Sequence, residues 1–192
     1  MQDLINKYKS TLINSLELRA FTVVPVMAES LKTAWSHGRN VFLCGNGGSA
    51  GNAIHLANDF VYGVGTNNGI GIRAEALSAN SAVITCLAND ISYDKVFAEQ
   101  LKVKGNKDDI LIALSGSGNS PNIINAINTA NEMDLKTFAI LGFDGGMVKK
   151  IAKCPIHFEV NDMQVSEDLQ LIVGHMCMQW LNSQKIKFKF KQ

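Results

Sequence analysis

The sequence predicts an α/β fold, a three-layer sandwich in which helices cover both faces of a five-stranded parallel, flavodoxin-like sheet. Short apolar runs rich in β-branched residues alternate along the chain with segments of helical periodicity. Two of the predicted strands end in polar, glycine-rich turns, over residues 44–49 and 115–120, and each turn leads into a helix. Because parallel strands present their carboxyl ends at one edge, we expect a ligand site where these two turns meet.

Length and composition indicate one soluble domain that spans residues 1–192, with a helical N-terminal segment over 1–37 and a basic tail over 184–192. The chain has 192 residues, of which 46% are hydrophobic and 18% charged. A net charge of +1 gives no reason to expect nucleic acid as a partner. No apolar run approaches the roughly 20 residues that span a bilayer, and no signal peptide pattern is present, so we expect a cytoplasmic protein.

The four cysteines are interpreted as reduced thiols because they lie far apart and form no C-x-x-C pair. Cys44 and Cys86 fall in apolar segments, which predicts that both are in the core.

The first 36 residues have a helical pattern, which Pro25 is expected to kink or break. Their apolar surface exceeds what one sheet face needs. It packs either against another subunit, as in a helix bundle, or over the chain's own sheet.

The remaining elements follow from periodicity and turn residues. Strands are predicted over 40–45, 72–77, 109–113, 136–141 and 156–160. Helices are predicted over 49–61, 80–87, 93–103, 122–133, 147–152 and 166–181, with a glycine-rich loop over 62–71. Asp162 and Ser166 are both candidate N-caps of the last helix. Residues 185–191 alternate lysine with apolar residues and form an edge strand or a mobile basic tail, with a membrane-surface role as a weaker alternative.

The turn after the third predicted strand has the chemistry of a phosphate site. Ser115, Gly116, Ser117 and Ser120 lie at the start of a helix, with Ser120 as a candidate N-cap before Pro121. Free backbone N–H groups and hydroxyl donors at a helix N-terminus bind anions. An ordinary glycine-serine turn is the alternative. Neither a G-x-G-x-x-G fingerprint nor a Walker A lysine accompanies the turns, so no nucleotide cofactor is expected.

Four titratable side chains could perform acid–base chemistry or hold a divalent metal ion. His55 and Asp59 are four residues apart on one predicted helix, and Glu167 and His175 are eight apart on the last helix, so each pair can share a face. Imidazole and carboxylate groups suit either role. The alternative is that the histidines are structural and that Glu167 and Asp168 complement a helix dipole in a first turn.

Together, these motifs resemble the sugar isomerase (SIS) domain family and, within it, the bacterial phosphoheptose isomerases. The resemblance covers roughly residues 3–183. It is most specific in Cys44–Ser49, His55, Asn89–Asp90 and Ser115–Ser120, and it continues through Asp144–Gly146 and His175.

The resemblance implies a role for each site residue. Asp59 and His175 would be the catalytic acid–base pair. The substrate would contact Asp59, Glu167 and the residues of three loops, which are Asn46, Gly47, Gly48, Ser49, Asn89, Asp90, Ser115, Gly116, Ser117 and Ser120. One zinc ion per subunit would be bound by His55, Asp59, Glu167 and His175. The family also implies a homotetramer that acts on a small sugar phosphate.

The chain departs from the family pattern, which usually has Glu at 59, Gln at 167 and Arg at 63, where this chain has Asp59, Glu167 and Gly63. The late helix also usually begins Arg-Ile-Gln-Glu, where this chain has residues 165–168 as Val-Ser-Glu-Asp. The expected activity is conversion of sedoheptulose 7-phosphate to D-glycero-D-manno-heptose 7-phosphate for surface polysaccharide synthesis. The alternatives are isomerisation of another phosphosugar, or a non-catalytic SIS module that binds a phosphosugar or a replication-initiator protein.

Overall fold

A computed structural model describes residues 1–190 and contains a single sheet of five parallel strands in the order β2-β1-β3-β4-β5. The strands are β1 (Asn40–Cys44), β2 (Arg73–Ala76), β3 (Ile110–Ser115), β4 (Lys136–Leu141) and β5 (Cys154–His157). The predicted fold class is confirmed.

Central strand β3 is buried on both faces, which explains why its sequence is a continuous apolar run. Ile110, Ile112 and Leu114 contribute to one hydrophobic core, whereas Leu111 and Ala113 contribute to the other. The strand therefore divides its side chains between two helical layers, and its carboxyl end at Ser115 reaches the edge where the polar turns lie.

Residues 1–190 contain eight α-helices. They are α1 (Gln2–Leu16), α2 (Val24–His37), α3 (Gly48–Asn58), α4 (Ser81–Asp90), α5 (Val96–Lys104), α6 (Pro121–Glu132), α7 (Val148–Ile151) and α8 (Met163–Asn182). Helices α2, α3 and α8 pack into one core, and α5, α6 and α7 pack into the other.

The N-terminal segment is broken rather than kinked at Pro25. A 3₁₀ turn at Arg19–Val23 separates α1 from α2, and Pro25 lies in the first turn of α2, where its missing N–H costs nothing. Helix α1 leaves Leu4 59% and Ile13 58% exposed, so it does not form a layer over the chain's own sheet.

Two boundaries near the expected site differ from the sequence prediction. Helix α3 ends at Asn58, and a π-helical turn at Asp59–Gly63 replaces its predicted last residues. Helix α4 continues through Asp90, so the pair at 89–90 is helical rather than beyond a helix end.

Strand β5 spans Cys154–His157 rather than 156–160. Pro155 is tolerated because β5 is an edge strand, where a missing N–H leaves no neighbour unpaired.

Helix α8 begins earlier than predicted, at Met163, and Asp162 caps it by accepting from the backbone N–H groups of Gln164 and Val165 at 3.0 and 3.1 Å. Glu167 and Asp168 therefore lie beyond the first turn, and the interpretation of them as first-turn residues was wrong.

The four cysteines are all free thiols. Cys44 is buried as predicted, and burial raises the pKa of its thiol to about 12. The prediction for Cys86 was wrong because α4 buries none of its residues, and Cys86 is exposed.

The described part of the tail forms no strand and packs on its own chain. The Phe188 ring meets the Trp35 ring edge-on with centroids 5.8 Å apart, and the Lys189 N–H donates to the Ser36 carbonyl at 2.8 Å. The predictions for residues 191 and 192 lie outside the described residues. Within 1–190, each helix is too short or too polar to traverse a bilayer.

Candidate active site

The two polar turns lie side by side at the carboxyl edge of the sheet and enclose a cavity of about 280 Å³. Pairing of Cys44 with Ala113 puts the ends of β1 and β3 in register. The cavity is lined by Asn46, Gly47, Gly48, Ser49, Leu114, Ser115, Gly116, Ser117, Ser120, Met163 and Glu167. The structure thus brings together the residues of both predicted turns.

The serine turn follows β3 directly and leads into α6. Ser120 occupies the N-cap position, but its hydroxyl makes no capping bond. The Ser115 hydroxyl accepts from the Gly118 N–H at 3.1 Å, and the Ser117 hydroxyl accepts from the Asn119 N–H at 3.3 Å. Pro121 has no N–H, and the Ile123 and Ile124 N–H groups donate to the Ser120 carbonyl, both at 3.0 Å. The Ser120 hydroxyl and the Asn122 N–H therefore remain available to an anion.

Glu167 enters this cavity from α8 and lies directly against Gly48. A Cβ atom at position 48 would come within 2.4 Å of both Glu167 carboxylate oxygens, so this approach requires glycine. Among the lining residues, all in the described part of the chain, none is a lysine or arginine. An anion there would be held by neutral donors and would face one carboxylate.

Met163 and Leu114 also line the cavity and were not predicted as site residues from the sequence. A Cβ at Gly116 would lie 2.5 Å from the Met163 sulfur, so this side chain covers the serine turn. Apolar residues in a turn region give no sequence signal for such a role.

An amide pair of a half-buried and a buried asparagine fixes the first glycine turn. The Asn46 and Asn122 side chains exchange two hydrogen bonds, of 2.9 and 2.8 Å, and the Tyr93 hydroxyl also donates to Asn46 at 3.0 Å. Asn122 is 2% exposed. The two turns are therefore connected through α6, which keeps their donors at a fixed separation.

Polar contacts join α3 to α8 beside the cavity. The Gln170 amide donates to the Ser49 hydroxyl at 3.0 Å and accepts from Asn52 at 3.0 Å, and Asn52 also donates to the Glu167 carbonyl. Gln170 is 1% exposed and was missed from the sequence, although it lies one turn after Glu167.

Close packing of the same two helices brings three of the predicted titratable residues together. A Cβ at Gly174 would lie 2.2 Å from the Leu56 side chain, so α8 approaches α3 this closely only because residue 174 has no side chain. Next to these residues, the Nε2 atoms of His55 and His175 are 2.9 Å apart. The Asp59 Oδ2 atom is 3.5 Å from each of them.

The donor set of this cluster fits a zinc ion. One ligand atom from each of His55, Asp59 and His175 lies within 4.8 Å of the others. Two imidazoles and one carboxylate form a three-ligand set with a position left for water or substrate. Glu167, the fourth predicted ligand, is not part of this cluster and lines the cavity.

Asn89 and Asp90 lie outside the cavity lining, at the exposed end of α4. The Asn89 amide donates to Asp90 at 2.8 Å and, with a weaker bond from the Cys86 thiol, holds the pKa of the Asp90 carboxyl below its usual range. The same contact with Asp90 raises the pKa of the Cys86 thiol. The contact of Asn89 and Asp90 with substrate stays a prediction.

Comparison with known proteins identifies relatives over nearly the whole chain. A family model described as the SIS domain matches residues 8–142. A phosphoheptose isomerase of Chlorobaculum parvum is 33% identical over 178 residues, which are 92% of this chain and 85% of the relative. One from Helicobacter pylori is 32% identical, with 92% and 93% covered.

Solved structures agree with these matches. A phosphoheptose isomerase structure from Neisseria gonorrhoeae superimposes with a TM-score of 0.86 and 25% identity, over 95% of this chain and 99% of the other.

Proposed function

Because the chain belongs to the SIS domain family and, within it, to the phosphoheptose isomerases, we propose that it converts sedoheptulose 7-phosphate to D-glycero-D-manno-heptose 7-phosphate. The chain is thus an aldose–ketose isomerase of a phosphosugar. The heptose product would supply surface polysaccharide synthesis, and the enzyme would act in the cytoplasm.

The observation that carries this proposal is that α3 and α8 each contribute to both halves of the site. Helix α3 begins at the cavity with Gly48 and Ser49 and carries His55 near its end, just before Asp59. Helix α8 contributes Glu167 to the cavity and His175 to the cluster. A long phosphosugar could therefore place its phosphate in the cavity and its carbonyl end near Asp59.

In the proposed mechanism the phosphate is held by the serine turn, while the first glycine turn, Asn89 and Asp90 contact the sugar. Asp59 accepts the proton from C1 of the ketose, and the electron pair forms the C1–C2 double bond of an enediol. His175 transfers the hydroxyl proton between the oxygens of C1 and C2. Return of the proton from Asp59 to C2 then gives the aldose. The proton that leaves C1 returns to C2 and the hydroxyl proton moves between the two oxygens, so the reaction needs no redox partner.

We further propose that one zinc ion binds to this cluster. His55, Asp59 and His175 would hold it. Glu167, the predicted fourth ligand, lies outside the cluster because it lines the cavity, so water or substrate would take the remaining position. Zinc bound there supplies a Lewis acid that polarises a carbonyl oxygen.

The proposal includes a homotetramer. Its support is the row of exposed apolar side chains on α1 and an apolar groove of about 360 Å³ between α2 and α8. The groove is lined by Val24, Pro25, Ala28, Glu29, Met176, Cys177 and Trp180.

Substitution of Asp59 tests the proposed activity. Asp59→Asn should abolish turnover of sedoheptulose 7-phosphate and leave binding of inorganic phosphate unchanged, because the amide keeps the shape but accepts no proton. Asp3→Asn removes an equal charge from exposed α1 and should leave both unchanged. Turnover by Asp59→Asn would refute the assignment of the base. Binding without turnover in the unsubstituted protein would favour the non-catalytic SIS module. Turnover of other ketose phosphates alone would favour an isomerase of another phosphosugar, an alternative that Gly63 in place of the family arginine suggests.

A further inference from the structure

The segment after Asp59 is held by one residue at the far end of α8. The Asn182 amide nitrogen donates to the Gly63 carbonyl and to the Thr66 hydroxyl, both at 2.6 Å. Its oxygen accepts from the Asn67 amide. Thr66 donates to the same Gly63 carbonyl at 3.1 Å. Gly63 is the last residue of the π-helical turn that Asp59 begins.

The π-helical turn determines how Asp59 leaves α3. On its N-terminal side, the Asp59 N–H donates to the carbonyls of His55 and Leu56, as in a regular helix. On its C-terminal side, the Asp59 carbonyl accepts from the Val64 N–H at 3.0 Å, five residues on instead of four. π turns are rare in proteins, which directs attention to the contacts from outside the turn that hold this register.

Asn182 provides that support from the helix that carries the other catalytic group. His175 and Asn182 are seven residues apart on α8, close to two turns, and so lie on one face. Helix α8 thus contacts this segment at two points. His175 lies beside Asp59, where the segment begins, and Asn182 donates to Gly63, where the π turn ends. In the described part of the chain, the Gly63 carbonyl accepts from no backbone N–H; it accepts from the Asn182 amide at 2.6 Å and, with a longer bond, from the Thr66 hydroxyl at 3.1 Å.

We infer that Asn182 is a positioning residue, which holds the π turn in register and thereby sets the separation of Asp59 from His175. We call the hydrogen bonds of the Asn182 side chain to Gly63, Thr66 and Asn67 the clamp. The inference rests on the proposed function for its effect on catalysis, but the clamp itself is a property of the fold. A displacement of about 1 Å at a reacting group can cost roughly 100-fold in rate, so partial loss of the clamp should be visible in kcat.

The decisive variant is Asn182→Asp, which keeps the size of the side chain and the acceptor for Asn67 but cannot donate to Gly63. It should lower kcat about tenfold with KM within about twofold of the original value. Hydrogen exchange of the Val64 amide should accelerate about tenfold or more, because the π-turn bond opens more often.

A matched control is Asn131→Asp. Asn131 also donates to a backbone carbonyl, that of Ile151 at 2.8 Å, and accepts from Thr137 at 2.9 Å, but it lies at the end of α6. This variant should leave both kcat and Val64 exchange unchanged. If Asn182→Asp does not fold, Thr66→Val removes the exposed partner of the same clamp and should shift both measurements in the same direction, by less.

Unaltered kcat in a folded Asn182→Asp protein, or unaltered Val64 exchange, would overturn the inference. If the unsubstituted protein shows no turnover, the proposed function fails, and Val64 exchange still decides whether Asn182 clamps the turn.

Discussion

The Nε2 atoms of His55 and His175 lie 2.9 Å apart, although 120 residues separate them in the sequence. At this distance one ring nitrogen donates and the other accepts a hydrogen bond, and the Asp59 carboxylate lies beside both. In tetrahedral zinc sites, where Zn–N distances are about 2.0–2.1 Å, two ligating nitrogens are about 3.3 Å apart. The two rings therefore need to separate by only a few tenths of an ångström to ligate one ion.

The first prediction concerns metal content. Purified protein supplied with zinc should retain about one ion per chain after dialysis, because three ligands converge. His175→Asn should lose most of this zinc, since it removes one of only two imidazoles. His37→Asn alters an exposed histidine outside the cluster and should keep it. Elemental analysis measures the content, and equal zinc in all three proteins would place the ion elsewhere.

The second prediction concerns Glu167, the carboxylate in the cavity. Glu167→Gln should strengthen binding of inorganic phosphate about fivefold at low salt, because it removes like-charge repulsion. The gain should shrink as salt is added. Calorimetry measures both, with the exposed Glu159→Gln as the control of equal charge. Unchanged affinity in Glu167→Gln would mean that the phosphate does not bind next to this side chain.

The third prediction concerns Tyr8, which joins α1 to α8. Its hydroxyl donates to Asp168 at 2.5 Å, and this bond, followed by desolvation, raises the pKa of Tyr8 from 10.0 to about 12. The folded state thus holds the proton more tightly than the unfolded state does. The resulting stabilisation is complete below pH 10 and is lost as the pH rises through about 12.

Tyr8→Phe should therefore be less stable than the unsubstituted protein at pH 9 and should show a smaller decline in unfolding free energy between pH 10 and pH 12. Tyr62→Phe, at a residue 73% exposed, is the control. Denaturant unfolding at several pH values checks this, and an alkaline decline of the same size in Tyr8→Phe would contradict it.

The fourth prediction concerns assembly. Four apolar side chains of α1 are 39–59% exposed, namely Leu4, Ile5, Ile13 and Leu16. If these residues pack against other copies, the mass in solution should be about four times the 20.9 kDa of one chain. Leu4→Ser combined with Ile13→Ser should reduce that mass, whereas Val103→Ser, at a residue 85% exposed on α5, should not. Light scattering gives the masses, and a monomeric unsubstituted protein would rule out the tetramer.

The strands and the serine turn could be predicted because their signals are local. The apolar run of β3 and the serines that follow it specify strand, turn and helix within about 20 residues. The boundary at Asp59, in contrast, depends on tertiary contacts. The π turn at Asp59 needs Asn182 from the end of α8, and no local pattern announces that contact.

The convergence of His55 with His175 could not be derived from spacing. Each lies on a different helix, and their approach depends on how closely α3 packs on α8. Gly174 makes that approach possible by leaving room for Leu56, but a glycine within a helical pattern does not indicate its packing partner. Gln170 and Asn122 were missed for the same reason, since their partners lie far away in the sequence.

The most direct test is NMR of sedoheptulose 7-phosphate incubated in D₂O with the zinc-supplemented protein. We expect conversion to the aldose, with deuterium at C2, because the proton on Asp59 exchanges with solvent before it returns to carbon. Phosphate-dependent binding with neither conversion nor deuterium incorporation would contradict the isomerase, and conversion without deuterium at C2 would contradict an exchanging base at Asp59.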